Sequence, residues 1–219
     1  MVEKKDKKIV DDICFDTEAY KRFPHLRKWF NKLYVAETFG YLCGPAGISV
    51  PKDDMYIVRP IYNLRGLGCC ASKRYLTTSD LRTVPPGYFW VEVFNGYHYS
   101  IDYIKKDGVF EQLNCFIGDN DPTDLYRFYS WKKSDHVFDL PEQLKRLDVD
   151  LLNIEVIGNK IVEVHLRLGM DHVMQYEEII PVWNSESTTK EGYEFKPCLS
   201  GHDDGDGWLD NKRIGFLCR

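Results

Sequence analysis

The clearest alternation of apolar and polar residues lies in residues 153–172, where two alternating runs flank Gly158, Asn159 and Lys160. Successive side chains of a strand point to opposite faces. In the second run one face therefore carries Glu163, His165 and Arg167, and the other carries Val162, Val164, Leu166 and Leu168. The pattern predicts a β-hairpin with an acid, an imidazole and a guanidinium in a row.

The register of this hairpin decides whether Glu155, on the first strand, joins that row. A three-residue loop at residues 158–160 places Glu155 opposite Glu163, whereas a two-residue turn places it opposite Val162. Two opposed carboxylates repel each other unless a cation lies between them. We favour the three-residue loop, because it makes the two acids a cation site. The alternative interpretation is the solvated face of an edge hairpin.

Elsewhere the pattern favours many strands and few helices. Helical spacing predicts helices over His25–Tyr41 and Leu140–Leu152, the second with Pro141 in its first turn. Strands are predicted over Met55–Ile61, over Tyr88–Ile104 in two pieces with a hairpin or kink at Asn95-Gly96, and over Val109–Ile117. The remaining predictions are a short helix or irregular segment at Lys73–Leu81, a polar loop at Gly118–Thr123, a loop at 184–212 and an edge strand at Arg213–Cys218.

Composition fits an ordinary globular chain of one domain, or of one domain with a small lobe. The 219 residues are 43% hydrophobic and 29% charged. The net charge of −5 argues against nucleic acid or an anionic membrane as the main partner. The seven cysteines form no C-x-x-C pair, which argues against zinc and disulfides. With no long apolar run and no signal peptide, the sequence predicts a cytoplasmic protein.

Candidate functional residues occur in four segments along the chain. Lys32 lies in the first predicted helix, and Arg59 lies in a strand that leads into a loop with Gly66 and Gly68. The third segment holds Glu92, Val93, Phe94 and His98, and the fourth is the hairpin with Glu155, Glu163, His165 and Arg167. Carboxylates hold hard cations and arginine neutralises phosphate oxygens, so the hairpin suits a metal-bridged polyphosphate.

Several of these residues also have a purely structural explanation. A helical lysine such as Lys32 is most often solvated, and a lone His98 is most often a hydrogen-bonded structural histidine. Arg59 is different, because an unpaired guanidinium inside an apolar strand is costly and needs a partner or a ligand. A salt-bridged network would explain Glu163 and Arg167 without any ligand.

The order of these segments resembles the ATP-grasp superfamily, most closely its carboxylase-like members, over about residues 28–175. These proteins have a lysine just inside a helix (here Lys32) and a strand lysine before a glycine-rich loop (here Arg59). An E-x-[YF] hinge (here Glu92) then precedes a histidine strand (here His98). They close with an E…E-x-N-x-R row, which stands in this chain as Glu155…Glu163-Val-His165-Leu-Arg167, followed by Asp171 and His172.

The resemblance implies an α+β protein with the ATP-grasp fold, in which two lobes of mainly antiparallel sheet hold ATP between them. It also implies the role of each residue. By this resemblance Lys32 and Arg59 bind the ATP phosphates with the loop of Gly66 and Gly68, while Glu92, Val93 and Phe94 hold the adenine and His98 lies near the ribose. Glu155, Glu163 and His165 bind Mg²⁺, with Mn²⁺ as the alternative. Arg167 and His165 are catalytic, and Arg167 binds the acyl phosphate or the substrate carboxylate.

The chain departs from the family pattern in several places. His165 replaces the metal-ligating asparagine, and imidazole suits Mn²⁺ or Zn²⁺ better than Mg²⁺, so His165 could instead hydrogen-bond a phosphate or the substrate. Arg59 replaces a lysine. The lid at about residues 55–87 is short. The Rossmann-like domain that usually precedes ATP-grasp is nearly absent.

The expected organisation is an N-terminal extension at residues 1–24, an ATP-grasp core at 25–183 and a C-terminal loop and edge strand at 184–219. The core comprises the reduced lid and a second lobe at about 88–183. The expected function is a ligase that activates a carboxylate as an acyl phosphate with ATP and metal, then joins it to an amine or another nucleophile. The alternative is a non-catalytic nucleotide-binding module that acts as a sensor or partner protein.

The expected partners are ATP and a small-molecule or peptide carboxylate with its nucleophile, without nucleic acid or membrane. A homo-oligomer or a partner chain that supplies the missing front domain stays open. We also expect Glu163→Ala to abolish metal-dependent nucleotide affinity while leaving the fold intact.

Overall fold

A computed structural model of the chain describes residues 15–64, 70–120, 125, 127–169, 175–198 and 213–219. The helical segments are α1 (Asp16–Arg22), a 3₁₀ helix (Pro24–Phe30), α2 (Lys32–Thr38) and α3 (Glu142–Lys145). The strands are β1 (Cys43–Pro45), β2 (Asp54–Pro60), β3 (Ser72–Leu76), β4 (Tyr88–Glu92), β5 (His98–Lys106), β6 (Val109–Asn120), β7 (Phe128–Lys133), β8 (Leu151–Ile157), β9 (Lys160–His165), β10 (Glu178–Trp183), β11 (Glu194–Pro197) and β12 (Arg213–Cys218). Among the described residues, none of the helices is long and apolar enough to cross a membrane.

The strands form two sheets whose neighbouring strands are all antiparallel. The smaller sheet has the order β1-β4-β2-β3, and the larger has the order β11-β12-β10-β7-β6-β5-β8-β9. The predicted α+β class with two mainly antiparallel lobes is confirmed.

The N-terminal helices pack against both sheets. Trp29 and Val35 share a buried apolar cluster with Ile154 of the larger sheet. On α2, Ala36 packs against Phe89 of the smaller sheet. Because burial of apolar surface is the main force that holds such elements together, this helical segment fixes the two sheets relative to each other.

The segment Asn95-Gly96 carries the chain from one sheet to the other, so it is a kink and not a hairpin turn. It lies against the turn of the β8–β9 hairpin: a Cβ on Gly96 would come within 2.7 Å of Gly158 Cα. The Gly158 N–H also donates to the Tyr97 carbonyl, at 2.8 Å. Both glycines have positive φ (+122° and +60°), which side chains disfavour, so this contact needs glycine on both sides.

The β8–β9 hairpin has a two-residue turn, so the predicted three-residue loop is wrong. Ile157 pairs with Lys160 and Val156 pairs with Ile161. A β-bulge then adds Val162 to β9, and this extra residue brings Glu163 opposite Glu155. The predicted pairing of the two acids is thus confirmed, through a bulge and not through the loop length.

Two predicted helices are shorter than the periodicity suggests. The segment His25–Tyr41 breaks at Asn31, whose backbone is extended and whose side chain accepts from the Tyr34 N–H at 2.9 Å as the N-cap of α2. The segment Leu140–Leu152 keeps one turn as α3, because residues from Leu151 onward pair with β5.

Other predictions also differ from the structure. Residues 73–76 belong to strand β3 and not to a helix or irregular segment, and residues 118–120 of the predicted polar loop continue β6. Strand β12 matches the prediction in its bounds but is not at the sheet edge, because β11 pairs outside it. Strand β11 itself lies within the predicted loop at 184–212, so that prediction is wrong for residues 194–197. From Asp16 onward the N-terminal segment is helical and packed, since Ala19 is fully buried in the main core.

Candidate functional site

Buried polar side chains of the described residues gather where α1 and α2 meet β5, β8 and β9. They are Asp16, Lys32, Asp102, Asn153, Glu163, His165 and Arg167. Polar groups are seldom buried unless they are paired. Seven in one place therefore mark this as the part of the molecule where an unusual amount of charge is held out of water.

Glu163 holds an ion triplet at the junction of the two sheets. The Lys32 ammonium contacts one carboxylate oxygen of Glu163, and the Arg59 guanidinium contacts the other. The backbone explains how they meet: the Lys32 N–H donates to the Ile61 carbonyl at 2.9 Å, which fixes the first turn of α2 beside the end of β2. One anion thus joins a helix, the smaller sheet and the larger sheet.

The Glu163 carboxylate and its two cationic neighbours attract each other, which offsets part of the cost of burying them. Burial favours the neutral carboxyl, yet the neighbouring Lys32 and Arg59 hold the pKa of Glu163 well below its ordinary value. Burial lowers the pKa of Lys32, and the Glu163 carboxylate opposes that shift. The Glu163 side chain is only 8% exposed, so water supplies little of this compensation.

A second buried network surrounds Asp16 at the start of α1. Arg167 donates to both Asp16 oxygens, from Nε at 2.8 Å and from Nη2 at 2.9 Å, and from Nη1 to the Leu168 carbonyl at 2.7 Å. The His165 Nδ1 lies 3.0 Å from the same carboxylate. Burial favours neutral imidazole, but Asp16 outweighs it and raises the pKa of His165 to about 9. Arg167 and His165 hold the pKa of Asp16 below its usual range.

Glu155 on β8 links this cluster to His98 on β5. Its carboxylate lies 3.1 Å from the His98 Nε2, and its side chain is 29% exposed. Ligand atoms of Glu155, Glu163 and His165 all lie within 4.8 Å of one another, which is the spacing of a candidate cation site.

The donor set at this site fits a hard cation through its two carboxylates. The imidazole fits less well. With its pKa raised to about 9, His165 is an imidazolium, and its Nε2 faces Glu163 at 3.5 Å. A metal ligand must be the neutral imidazole. The raised pKa and the contacts with both acids therefore favour His165 as a partner of the acids over His165 as a ligand.

Not all of the candidate residues lie in this cluster. Glu92, at the end of β4, accepts from the Leu42 N–H at 2.9 Å and so ties the chain before β1 to β4. Val93 and Phe94 follow in the connection between the sheets, where Phe94 packs edge-on against Tyr41 with ring centroids 4.9 Å apart. Gly66, Gly68, Asp171 and His172 lie outside the described residues.

Asp16 is the site residue that the sequence analysis missed, because it falls in a segment assigned to a loose extension. A signal was present. If Glu155 and Glu163 bind a metal ion, as the sequence suggests, Arg167 on the same strand face needs another anion. The missing acid had to come from another part of the chain, and the segment Phe15-Asp16-Thr17-Glu18 offers it at a helix start.

The raised pKa of His165 predicts a loss of stability in alkali. A group whose pKa is higher in the folded state stabilises fully below its unfolded pKa, here about 6.5, and less as the pH rises through about 9. We expect the free energy of unfolding from urea titrations to fall by up to about 3 kcal/mol across this window. The fall should be absent in His165→Asn. An identical fall in that variant would assign the effect to another group.

Comparison with known proteins adds a fold relationship. No family model and no curated protein matches the chain. L-amino acid ligase from Bacillus licheniformis matches with a TM-score of 0.51 at 11% identity, over 68% of this chain and 44% of the ligase. A putative ATP-grasp superfamily protein from Archaeoglobus fulgidus (0.48, 10% identity, 88% and 65% covered) and N5-carboxyaminoimidazole synthase from Aspergillus clavatus (0.49, 6%, 87% and 68%) match more weakly. The chain spans less than half the length of the L-amino acid ligase.

Proposed function

Because the chain has the ATP-grasp fold, we propose that it binds ATP with a divalent cation at the Glu163 cluster and acts as an ATP-dependent ligase. One observation carries the proposal. Lys32 and Arg59 converge on Glu163 at the junction of the two sheets, with Glu155 directly opposite on the neighbouring strand. Two cations beside two carboxylates are the groups that a metal-bridged triphosphate requires.

Lys32 and Arg59 would bind phosphate oxygens in this proposal. Arg59 gives the strongest support, because its buried Nε has no hydrogen-bond partner among the described residues. Buried donors are nearly always satisfied, so an orphaned N–H beside an ion triplet suits an anionic ligand. In the free protein Glu163 pairs with both cations but offsets only one of their two charges, and a phosphate group would supply the further negative charge.

Glu155 and Glu163 would hold the cation, Mg²⁺ or alternatively Mn²⁺, once phosphates engage Lys32 and Arg59. The bound ion supplies charge neutralisation at the phosphates. His165 would hold Glu163 in position from Nε2 while Asp16 fixes its other nitrogen. Such second partners are known to orient metal ligands.

The nucleoside would lie toward the connection between the sheets. His98 sits at the start of β5 and is oriented by Glu155, which suits a contact with the ribose. One Glu92 oxygen is bound to the Leu42 N–H, so the second oxygen and the backbone of Val93 and Phe94 would read the adenine edge.

The reaction would begin with attack of a substrate carboxylate on the γ-phosphate, which gives an acyl phosphate and ADP. An amine would then displace phosphate and form an amide. Arg167 would contact the acyl phosphate or the carboxylate through the N–H groups that its bonds to Asp16 and to the Leu168 carbonyl do not use, since a guanidinium has five N–H groups. L-amino acid ligase from Bacillus licheniformis, whose fold this chain shares in part, supports the ligase class.

Calorimetric titration with ATP, with and without Mg²⁺, tests the proposal. We expect binding that requires the metal, and at least about tenfold weaker binding in Glu155→Gln, because one carboxylate ligand is lost. Glu111→Gln is the matched control, since Glu111 is an exposed strand acid paired with Lys106.

Equal ATP affinity of Glu155→Gln and the wild type in the presence of Mg²⁺ would contradict the proposed metal site. ADP release on addition of carboxylates and amines would support the ligase. Metal-dependent ATP binding without any ADP release would support the alternative, a non-catalytic nucleotide-binding module.

A further inference from the structure

An aromatic surface lies on the larger sheet beside the proposed cation site. The rings of Phe128 and Trp131 on β7 are stacked, with centroids 4.3 Å apart and an interplanar angle of 29°. The His98 imidazole meets both rings edge-on, at 5.1 Å and 5.7 Å. Its Nε2 is bound to Glu155, so the imidazole links the ring pair to a metal-binding carboxylate.

The strand register places these side chains on the same face. His98 pairs with Gly118, and Gly118 pairs with Trp131. On its other side His98 pairs with Ile157 of β8, and Glu155 lies two residues before Ile157 on the same strand. Cross-strand partners, and residues two apart on one strand, point to the same side of a sheet. The rings and the acids therefore share one face.

Because Gly118 has no side chain, it leaves room for the two rings. A Cβ at this position would lie 2.7 Å from Phe128 Cε1 and 2.9 Å from Trp131 Cζ3, well inside van der Waals contact. The two rings thus lie directly over the backbone of β6, in space that any larger residue would fill. The stacked pair forms an aromatic surface over β6, next to His98 on β5.

Part of this aromatic surface stays open to solvent. Trp131 packs on one side against the buried cluster of Phe116 and Ile179, whereas both Phe128 and Trp131 remain partly exposed. Apolar surface beside an ionic site is costly to hydrate, and stacked or edge-on aromatic contacts are favourable beyond the area that they bury.

We infer that the Phe128–Trp131 surface binds an aromatic ring of the carboxylate or amine substrate, with the reacting group directed toward Glu155. The inference rests on the proposed function and adds the substrate class to it: aryl-bearing acids or amines over aliphatic ones. His98 would bridge the ring subsite and the phosphate site. The position of the rings suits a substrate that spans the two.

Matched probes test the inference: phenylacetate against cyclohexylacetate, and benzylamine against cyclohexylmethylamine, each by equilibrium dialysis with and without ATP and Mg²⁺. These pairs have similar size and differ in aromaticity. We expect the aryl member of at least one pair to bind roughly two- to tenfold tighter. In Phe128→Leu, which keeps an apolar side chain, this preference should vanish.

Two further variants keep the test sharp. Gly118→Ala should weaken aryl binding as well, because its methyl group displaces the rings. Phe110→Leu is the matched control and should change nothing: Phe110 is a partly buried phenylalanine eight residues away along β6, about 26 Å at strand spacing.

Equal binding of aryl and cyclohexyl probes, or no binding of either at millimolar concentration, would overturn the inference. So would a loss of ATP affinity in Phe128→Leu without any change for aryl probes, because the rings would then hold adenine. Absence of ATP binding together with a Phe128-dependent aryl preference would refute the proposed nucleotide function and leave the aromatic subsite standing.

Discussion

Glu163→Ala should lower the free energy of unfolding by about 3–5 kcal/mol, which is a large part of the stability of a domain of this size. Removing one partner of a buried ion pair leaves an uncompensated charge. Here two charges would be left, because both Lys32 and Arg59 are paired with this carboxylate and are only 7% and 12% exposed. Urea unfolding followed by fluorescence would measure the loss.

Two further variants separate this cause from a general effect of truncation. Glu155→Ala removes an acid from the opposing position, but Glu155 is 29% exposed and is paired with His98 alone among the described ion pairs. Its expected loss is about 1 kcal/mol. Lys32→Met added to Glu163→Ala should recover part of the stability, since it deletes one of the stranded cations. A loss below about 1 kcal/mol in Glu163→Ala would show that the triplet is solvated.

This expectation revises what the sequence suggests for the same variant. The alternating pattern makes Glu163 look like a polar residue on an open face, so that its removal would affect ligand binding and spare the fold. The ion triplet makes it a structural residue as well. Nucleotide binding is therefore better tested with Glu155→Gln than with any change at Glu163.

Asp16→Asn should cost a similar amount, about 3–5 kcal/mol, because Arg167 and His165 would face a neutral amide in a buried setting. The exposed Glu18→Gln change on the same helix is the control. Glu18 accepts from the Phe15 N–H at the helix start, and its loss should cost only about 1 kcal/mol. Thermal unfolding of the three proteins would give the comparison.

The fall of the free energy of unfolding at low pH (the acid branch of the stability curve) tests the role of the Asp16 carboxylate independently. The pKa of Asp16 is lowered on folding, so its contribution is present above its unfolded value of about 3.8 and is lost as the pH falls below that value. Asp16→Asn should flatten this acid branch. If Asp16→Asn stays as stable as Glu18→Gln and keeps the wild-type acid branch, Asp16 does not anchor α1.

The elements that were correctly predicted are those with local signals. Strand β2 and the hairpin of β8 and β9 show in the alternation of apolar and polar residues. The prediction of one continuous helix over His25–Tyr41 was wrong, although its apolar residues have helical spacing throughout. Asn31 interrupts the helix and caps a new one, whose first N–H, that of Lys32, donates to the Ile61 carbonyl far along the chain. Strand β3 was missed because Lys73, Arg74 and Tyr75 alternate weakly at a sheet edge.

Local sequence patterns were enough to establish the strand-rich class and the row of Glu163, His165 and Arg167 on one face of the second hairpin strand, since side-chain alternation is a local property of the chain. The pairing of Glu163 with Glu155 was expected, but a β-bulge at Val162 produced it and not the expected loop. Tertiary structure alone decided that Lys32, Arg59 and Glu163 meet and that Asp16 closes the second network. Those contacts span more than a hundred residues along the chain (Arg59 to Glu163, 104 residues; Asp16 to Arg167, 151). They depend on how two sheets and a helix pack, and no local pattern encodes that packing.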